Sequence, residues 1–264
     1  MTRPIRLAIS GASGRMGLAL LNLVRDDGRF ELVRAIVSSK STRLGKAVYG
    51  DVSPLRFSAW SDATGIDVVI DFSGPEGLDQ ALDHCEASGA ALVTGTTGLS
   101  VEQEARLTHA AERIAVLRAA NFSLGVAVLT RLLREAAAAL PNWDLDIVEA
   151  HHSRKEDAPS GTALALGHAA AAGRGATLDE LAVYSREGRP GARKAGTIGF
   201  AVVRGGDIVG EHQALLMGQG ERVELGHRAT DRSIFARGSL ESAAWMAGRA
   251  PGAWTIEDVI AAKV

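Results

Sequence analysis

"IRLAISGASGRMGLALLNLVRDDGRFELVRAIV", residues 5–37, decides the fold. Its first six residues are an apolar run that stops at a glycine, as a short buried strand does. Glycines follow at 11, 14 and 17, and residues 16–26 carry apolar side chains at helical spacing. "FELVRAIV" (30–37) then reads as a second strand. Strand, glycine loop, helix and strand in that order form a βαβ unit, whose two strands run parallel. The glycines allow a tight turn, close approach by a pyrophosphate and close packing of the helix. The free N–H groups at that helix's start would face a phosphate. The spacing is G-x-x-G-x-x-G, a variant of the usual dinucleotide fingerprint, and a plain glycine-rich turn would satisfy it too.

Outward from this unit the alternation continues. "DVVIDFS" (67–73), "AALVTG" (90–95) and "IAVLRA" (114–119) read as strands. "EGLDQALDHCEAS" (76–88) and "SVEQEARLTHAAER" (100–113) read as helices, the second capped by Ser100. Ligands of such sheets bind beyond the carboxyl ends of the strands. The loops "DFSGPEG" (71–77), "GTTG" (95–98) and "AANFS" (119–123) occupy that position and could line the nicotinamide side; ordinary turn chemistry would also explain each.

The second half changes character. "NFSLGVAVLTRLLREAAAAL" (121–140) is a long helix candidate, and "WDLDIVEAH" (143–151) alternates polar and apolar residues like a half-buried strand. Residues 196–238 hold three or four strand-like runs with no helix between them, so their sheet should be mixed or largely antiparallel. "RGGD" (204–207) is a hairpin signal, "SLESAAWMAGRA" (239–250) a returning helix, and "SREGRPGARKAG" (185–196) the most loop-like segment. The expected fold is α/β: a Rossmann-like dinucleotide-binding domain followed by an α+β domain with an open, mixed sheet.

Composition excludes several classes. Twenty-nine basic residues face 31 acidic ones with no basic run, which argues against a nucleic-acid partner. No apolar stretch is long enough to cross a membrane or serve as an export signal. Cys85 is the one cysteine, so no intramolecular disulfide forms, which suits a reducing, cytoplasmic location.

The densest chemistry lies in "EAHHSRKEDAPSGTALALG" (149–167). His151 and His152 are adjacent and on a strand would point to opposite faces, so they do not clamp one ion; no metal site is expected. A Ser-His-Asp hydrolase would need a G-x-S-x-G elbow, which the chain lacks. Ser160 is a credible N-cap for an alanine-rich helix whose first amides, on Gly161 and Thr162, would face outward at its positive end. Lys155 adds a mobile charge. The segment therefore reads either as an anion pocket for a carboxylate or as a solvated loop that caps a helix.

"GASGRMG", "DFSGPEG", "GTTG", "AANFSLGV", "EAHHSRKEDAPSGTALALG" and "GTIGFAVVRGGDIVGEH" together resemble, in order and spacing, the 4-hydroxy-tetrahydrodipicolinate reductase (dihydrodipicolinate reductase) family. The resemblance spans the chain, and its HH-x-x-K-x-D-x-P-S-G-T block is far more specific than the glycine loop. It implies an NAD(P)H-dependent reductase of a small cyclic dicarboxylate in the diaminopimelate–lysine pathway, assembled as a homotetramer through its second-domain sheets. The runners-up are another NAD(P)-dependent reductase of a small dicarboxylate, or a non-catalytic NADP(H) sensor on the same fold. The resemblance also puts the dinucleotide domain at about 1–122 plus 234–264, and the substrate-binding and tetramerisation domain at 123–233. Position by position, it assigns pyrophosphate contacts to Gly11, Ala12, Ser13, Gly14, Arg15 and Met16. Further cofactor contacts fall on Gly95, Thr96 and Thr97 and on Ala119, Ala120, Asn121 and Phe122. It makes His151 a proton donor or acceptor and Lys155 the proton donor, with His152, Gly161 and Thr162 on the substrate carboxylates, joined by the Ser160 cap.

One departure bears on the cofactor. Many members end the second strand with an acid that holds the adenosine ribose; here Val37 takes that position and Ser38 follows. Without that carboxylate, a 2′-phosphate meets no repulsion, and Ser38, Ser39 and Lys40 offer it hydroxyls, amides and a charge. The expectation is NADPH in preference to NADH, with NADH still usable.

Overall fold

The computed structural model describes residues 3–50, 54–60 and 64–262, and the chain divides into two compact units. The first runs to Ser123 and resumes at Ser233; the second is Leu124–Arg232.

In the first unit the expected alternation is present: β1 (Ile5–Ser10), α1 (Arg15–Val24), β2 (Phe30–Ile36), a two-residue β3 (Phe57–Ser58), β4 (Val68–Asp71), α2 (Pro75–Ser88), β5 (Ala91–Thr94), α3 (Val101–Ala110) and β6 (Ala115–Arg118). All residues of β4 and β5 are buried, the mark of parallel strands covered on both faces. Successive side chains supply opposite layers. Leu7, Ile9, Val68 and Ile70 join one core cluster with Leu20 and Leu21 of α1. Ala8, Val69 and Leu92 join another with Leu78 and Leu82 of α2 and Leu107 of α3. Ser100 caps α3 with a reciprocal capping box through Gln103.

The second unit holds α4 (Leu124–Ala139), β7 (Asp144–His151), α5 (Gly161–Gly173), the one-turn α6 (Leu178–Leu181), the short β8 (Ala182–Val183), β9 (Ile198–Arg204), β10 (Gly210–Met217) and β11 (Arg222–Ala229). Its sheet order is β11-β10-β7-β9-β8, with β10 antiparallel to both neighbours and the β7·β9 and β8·β9 pairs parallel. Helices α4 and α5 pack on each other and, through Leu133, Leu166 and Ala170, join one core with Leu145, Ile147, Ala214 and Leu216 of the sheet. The alternation of β7 between half-buried and buried residues is that of a strand with one covered face.

The hairpin expected at 204–207 is corrected. β9 and β10 do not pair, because β7 lies between them. The glycine turn instead wraps the end of β7: Gly205 N–H donates to His151 O (2.9 Å), His152 N–H to Ile208 O (2.8 Å) and Ser153 N–H to Gly206 O (3.3 Å). The glycines do form a turn, but the strand beside each of its flanks is β7, far upstream in the chain, which no local signal reports.

The chain then returns to the first unit through α7 (Ser233–Met246), β12 (Gly252–Trp254) and α8 (Ile256–Ala261). The first sheet becomes seven parallel strands in the order β12-β6-β5-β4-β1-β2-β3, with α7 packed on α1 and across β4 and β5. Helix α7 starts six residues before the expected 239, since "SIFARG" has strand-like residues; buried Ala236, Gly238 and Ser239 let it lie close to the sheet.

Candidate active site

In the first unit the loops after β1, β2 and β4 surround a cavity of about 630 Å³. Gly11, Ser13 and Gly14 line it from the glycine loop, Ser38 and Ser39 from the end of β2, and Ser73–Gly77 from the start of α2. Gly11 has φ +76°, and a Cβ there would come within 2.5 Å of the Phe72 carbonyl oxygen, so the tight turn demands glycine. A Cβ on Gly17 would overlap Gly11 O and Ala12, so this glycine lets α1 pack against its own loop. Helix α1 begins at Gly14 with neither a side-chain cap nor an acid in its first turn. Gly14 N–H turns back to Gly11 O (2.9 Å), and among the described residues no side chain caps the helix, so its positive end is open to an anion. The residues fit a dinucleotide.

Of the other expected cofactor contacts, Gly95 and Phe122 stand around Phe72. A Cβ on Gly95 would overlap the Phe72 ring, and the Phe122 ring meets it edge-on at 5.6 Å. Thr96 is buried and donates to Asp71 Oδ2 at 2.6 Å. Thr97 and Ala120 are exposed; Ala119 and Asn121 are half-buried. Ala12, Arg15, Met16 and Lys40 do not line the cavity; Ala12 is buried in the core, while Arg15 and Lys40 face solvent. Asp71 was missed from sequence. It is fully buried and accepts from Ser73 Oγ (2.5 Å), Thr94 Oγ1 (3.0 Å) and Thr96 Oγ1, so it ties the loop after β4 to the loop after β5.

In the second unit the dense stretch folds into a network around one carboxylate. Glu149 and His151 are two apart on β7 and so share its covered face. Glu149 Oε2 lies 2.6 Å from His151 Nδ1 and accepts from Arg204 Nη1 at 2.8 Å. Its Oε1 accepts from Ser160 N–H and from Arg204 Nη2, each at 2.9 Å. Burial disfavours the Glu149 charge, but these bonds from Arg204, His151 and Ser160 outweigh it and hold its pKa below the usual carboxylate value.

Ser160 is the N-cap of α5, its Oγ accepting from Ala163 N–H at 3.2 Å. The same Oγ lies 3.1 Å from His212 Nε2 on β10. Burial, reinforced by His151, pushes the His212 imidazole down to about 4. Gly161 is exposed and Thr162 half-buried in the first turn of α5, which contains no acid. His152 follows the end of β7, half-buried; burial together with Arg154 and Arg232 pushes its pKa down. Lys155 is not a lone ammonium: its Nζ pairs with Asp157 at 2.7 Å and holds that carboxyl below its usual value. Arg204 Nη2 also donates to Asp157 O at 2.6 Å, fixing this loop to the Glu149 cluster.

His151, Ser160 and the first turn of α5 are thus brought together, with Lys155 on the adjoining loop. Glu149, Arg204 and His212 were missed, although the i, i+2 spacing of Glu149 and His151 on a half-buried strand was a readable signal. Among the described residues no cluster of His, Cys, Asp or Glu is arranged to hold a metal, and no helix is long and apolar enough to cross a membrane.

Two family models match the chain: dihydrodipicolinate reductase, N-terminus, over residues 5–122, and dihydrodipicolinate reductase, C-terminus, over 125–260. A 4-hydroxy-tetrahydrodipicolinate reductase of Caulobacter vibrioides is 46% identical over 266 residues, covering 100% of both chains. One from Thiobacillus denitrificans is 45% identical over 98% of this chain and 99% of its own. Among solved structures, a dipicolinate-bound dihydrodipicolinate reductase from Paenisporosarcina sp. TG-14 superposes with a TM-score of 0.78 at 24% identity, covering 97% of this chain and 99% of that one.

Proposed function

Because the chain belongs to the dihydrodipicolinate reductase family, we propose that it reduces 4-hydroxy-tetrahydrodipicolinate to tetrahydrodipicolinate with NAD(P)H, in diaminopimelate and lysine biosynthesis. The observation that carries the reading to this chain's own residues is the buried Glu149, which gathers His151 and the cap of α5 at one place. A helix terminus with a nearby ammonium suits a carboxylate; a fold relative was solved with dipicolinate, a planar dicarboxylate, bound.

The nicotinamide supplies a hydride when bound. The 4-hydroxyl leaves as water to give a conjugated ring, and the electron density that a hydride adds to this ring must then be quenched by a proton. Lys155 carries that proton as ammonium. Releasing Asp157 to meet a substrate carboxylate exchanges one ion pair for another, so the move costs little net charge separation. His151, held by Glu149, presents its remaining ring nitrogen for proton exchange. Amides of Gly161 and Thr162 at the start of α5, with His152, hold the carboxylates. Gly11, Ser13 and Gly14 with the start of α1 would hold the pyrophosphate, and Gly95–Thr97 with Ala119–Phe122 the nicotinamide side.

NADPH is the preferred cofactor in this reading. Val37 is buried and brings no carboxylate to the end of β2, while Ser38 and Ser39 line the cavity. Lys40 is exposed beside these serines, its amide donating to Ser38 Oγ at 3.3 Å, and its ammonium adds a charge for the phosphate. A cytoplasmic homotetramer completes the reading; the exposed Val202, Val203 and Val223 give the sheet of the second unit apolar area that a partner copy would cover. Mixing the protein with NADPH and the freshly made condensation product of pyruvate and aspartate semialdehyde tests the activity. Nicotinamide absorbance should fall only when that substrate is present; no loss would overturn the assignment.

A further inference from the structure

Four donors on one carboxylate are more than a structural ion pair needs. Arg204 alone would satisfy Glu149 bidentately and tie β7 to β9. Yet the shortest contact on Glu149 is the 2.6 Å one to His151, and the Ser160 amide adds another from a different element. The Glu149 side chain is wholly buried beside a guanidinium that stabilises its charge. An ionised carboxylate is an acceptor only, so the proton in the His151 contact sits on Nδ1. Nε2 is then the nitrogen left to exchange protons. The strand opposite is shaped for this: a Cβ on Gly210 of β10 would come within 3.0 Å of His151 Nε2, and glycine leaves that nitrogen clear.

We propose that Glu149 is a positioning residue of the reduction, acting through His151 by fixing its Nδ1–H tautomer so that Nε2 faces the substrate, and through Ser160 by seating the N-terminus of α5. The inference rests on the reading of His151 as the group that exchanges a proton with the substrate. A carboxylate that orients a histidine in this way is a general device, since the bond made by one ring nitrogen decides the state of the other.

The two roles separate kinetically. The His151 role acts on turnover, whereas the Ser160 role acts on substrate binding. Glu149→Gln keeps the side-chain shape and removes the charge. It should lower kcat at least about tenfold, raise the substrate KM, and leave the NADPH dissociation constant within about twofold of the parent, because the cofactor loops belong to the other unit. On a His151→Ala background the same change should still raise KM but cost no further kcat. An equal additional loss of kcat there would show that Glu149 acts by holding the fold, and would overturn the proposal. Glu149→Asp, which keeps the charge, should recover part of the lost turnover. Near-normal turnover of His151→Ala would instead remove the reading of His151 itself, while impaired His151→Ala beside unimpaired Glu149→Gln would refute only the role of Glu149. Nitrogen-15 spectra of histidine-labelled parent protein give a readout independent of any variant's folding. His151 should be found as the Nδ1–H tautomer, and an Nε2–H tautomer would overturn the proposal.

Discussion

Replacing His212 should flatten the protein's loss of stability in acid. The imidazole is 5% exposed, its Nε2 is against Ser160 Oγ, and no polar partner reaches its Nδ1 among the described residues. Burial takes its pKa from 6.5 to about 4 in the folded chain. The unfolded chain therefore binds a proton near neutrality that the folded chain refuses, and stability falls as pH drops below the unfolded value. The sign is that of a depressed group: the contribution is whole above roughly pH 6.5 and is lost as pH falls to about 4. At 1.36 kcal/mol per unit, the loss is about 2 kcal/mol by roughly pH 5 and about 3 kcal/mol by roughly pH 4. Urea unfolding of the parent and of His212→Gln, repeated across this range, measures it. The glutamine keeps a donor near Ser160 while removing the titration. The difference in stability between the two should shrink by about 3 kcal/mol from neutral pH to roughly pH 4. Parallel curves would refute the reasoning, because a histidine that charges freely in the folded chain is not buried as described.

Lys155→Ala should lower kcat by roughly 10²–10⁴-fold, the range of a general acid, with the NADPH dissociation constant unchanged; near-normal turnover would remove Lys155 as the proton source. Pyridine-2,6-dicarboxylate should compete with substrate, and its monocarboxylate analogue should bind at least about tenfold more weakly; equal inhibition would mean that only one carboxylate is gripped. Calorimetric titration should show NADPH binding more tightly than NADH, and Ser39→Asp should reverse the order by setting a carboxylate against the 2′-phosphate; tighter NADH binding by the parent would refute the preference. Asp71→Asn turns one of the two carboxylate oxygens that accept from the Ser73, Thr94 and Thr96 hydroxyls into a donor, and NADPH binding should weaken roughly tenfold, read by fluorescence titration.

The first unit was legible because its signals are local. Strand, glycine loop and helix follow one another within residues 5–37, and Ser100 announces its own helix. The pairing of β7 between β9 and β10 was not legible, because hydrophobic pattern fixes which face a strand buries and not which strand lies beside it. The short β3, β8 and β12 carry too few residues to show a period. The side chains with chemistry in the 149–167 stretch were visible as types, whereas their supports were not. Glu149 looked like one more charge in a polar run until burial set it beneath His151. Arg204 and His212 lie some fifty residues downstream and reach the site only through the sheet. The pairing of Lys155 with Asp157 was available from their spacing but competes with every other ion pair that such a run allows.

The proposed reaction moves a hydride from a reduced nicotinamide to the ring of the substrate. Label transfer measures that step directly. NADPH carrying deuterium at nicotinamide C4 is incubated with the protein and the freshly condensed substrate, and the tetrahydrodipicolinate formed is weighed by mass spectrometry. The product should be heavier by one deuterium when the labelled face is the one used, and no labelled product should form without the protein. Tetrahydrodipicolinate that forms without deuterium from either labelled face, or substrate left unchanged beside bound NADPH, would contradict the proposed reaction.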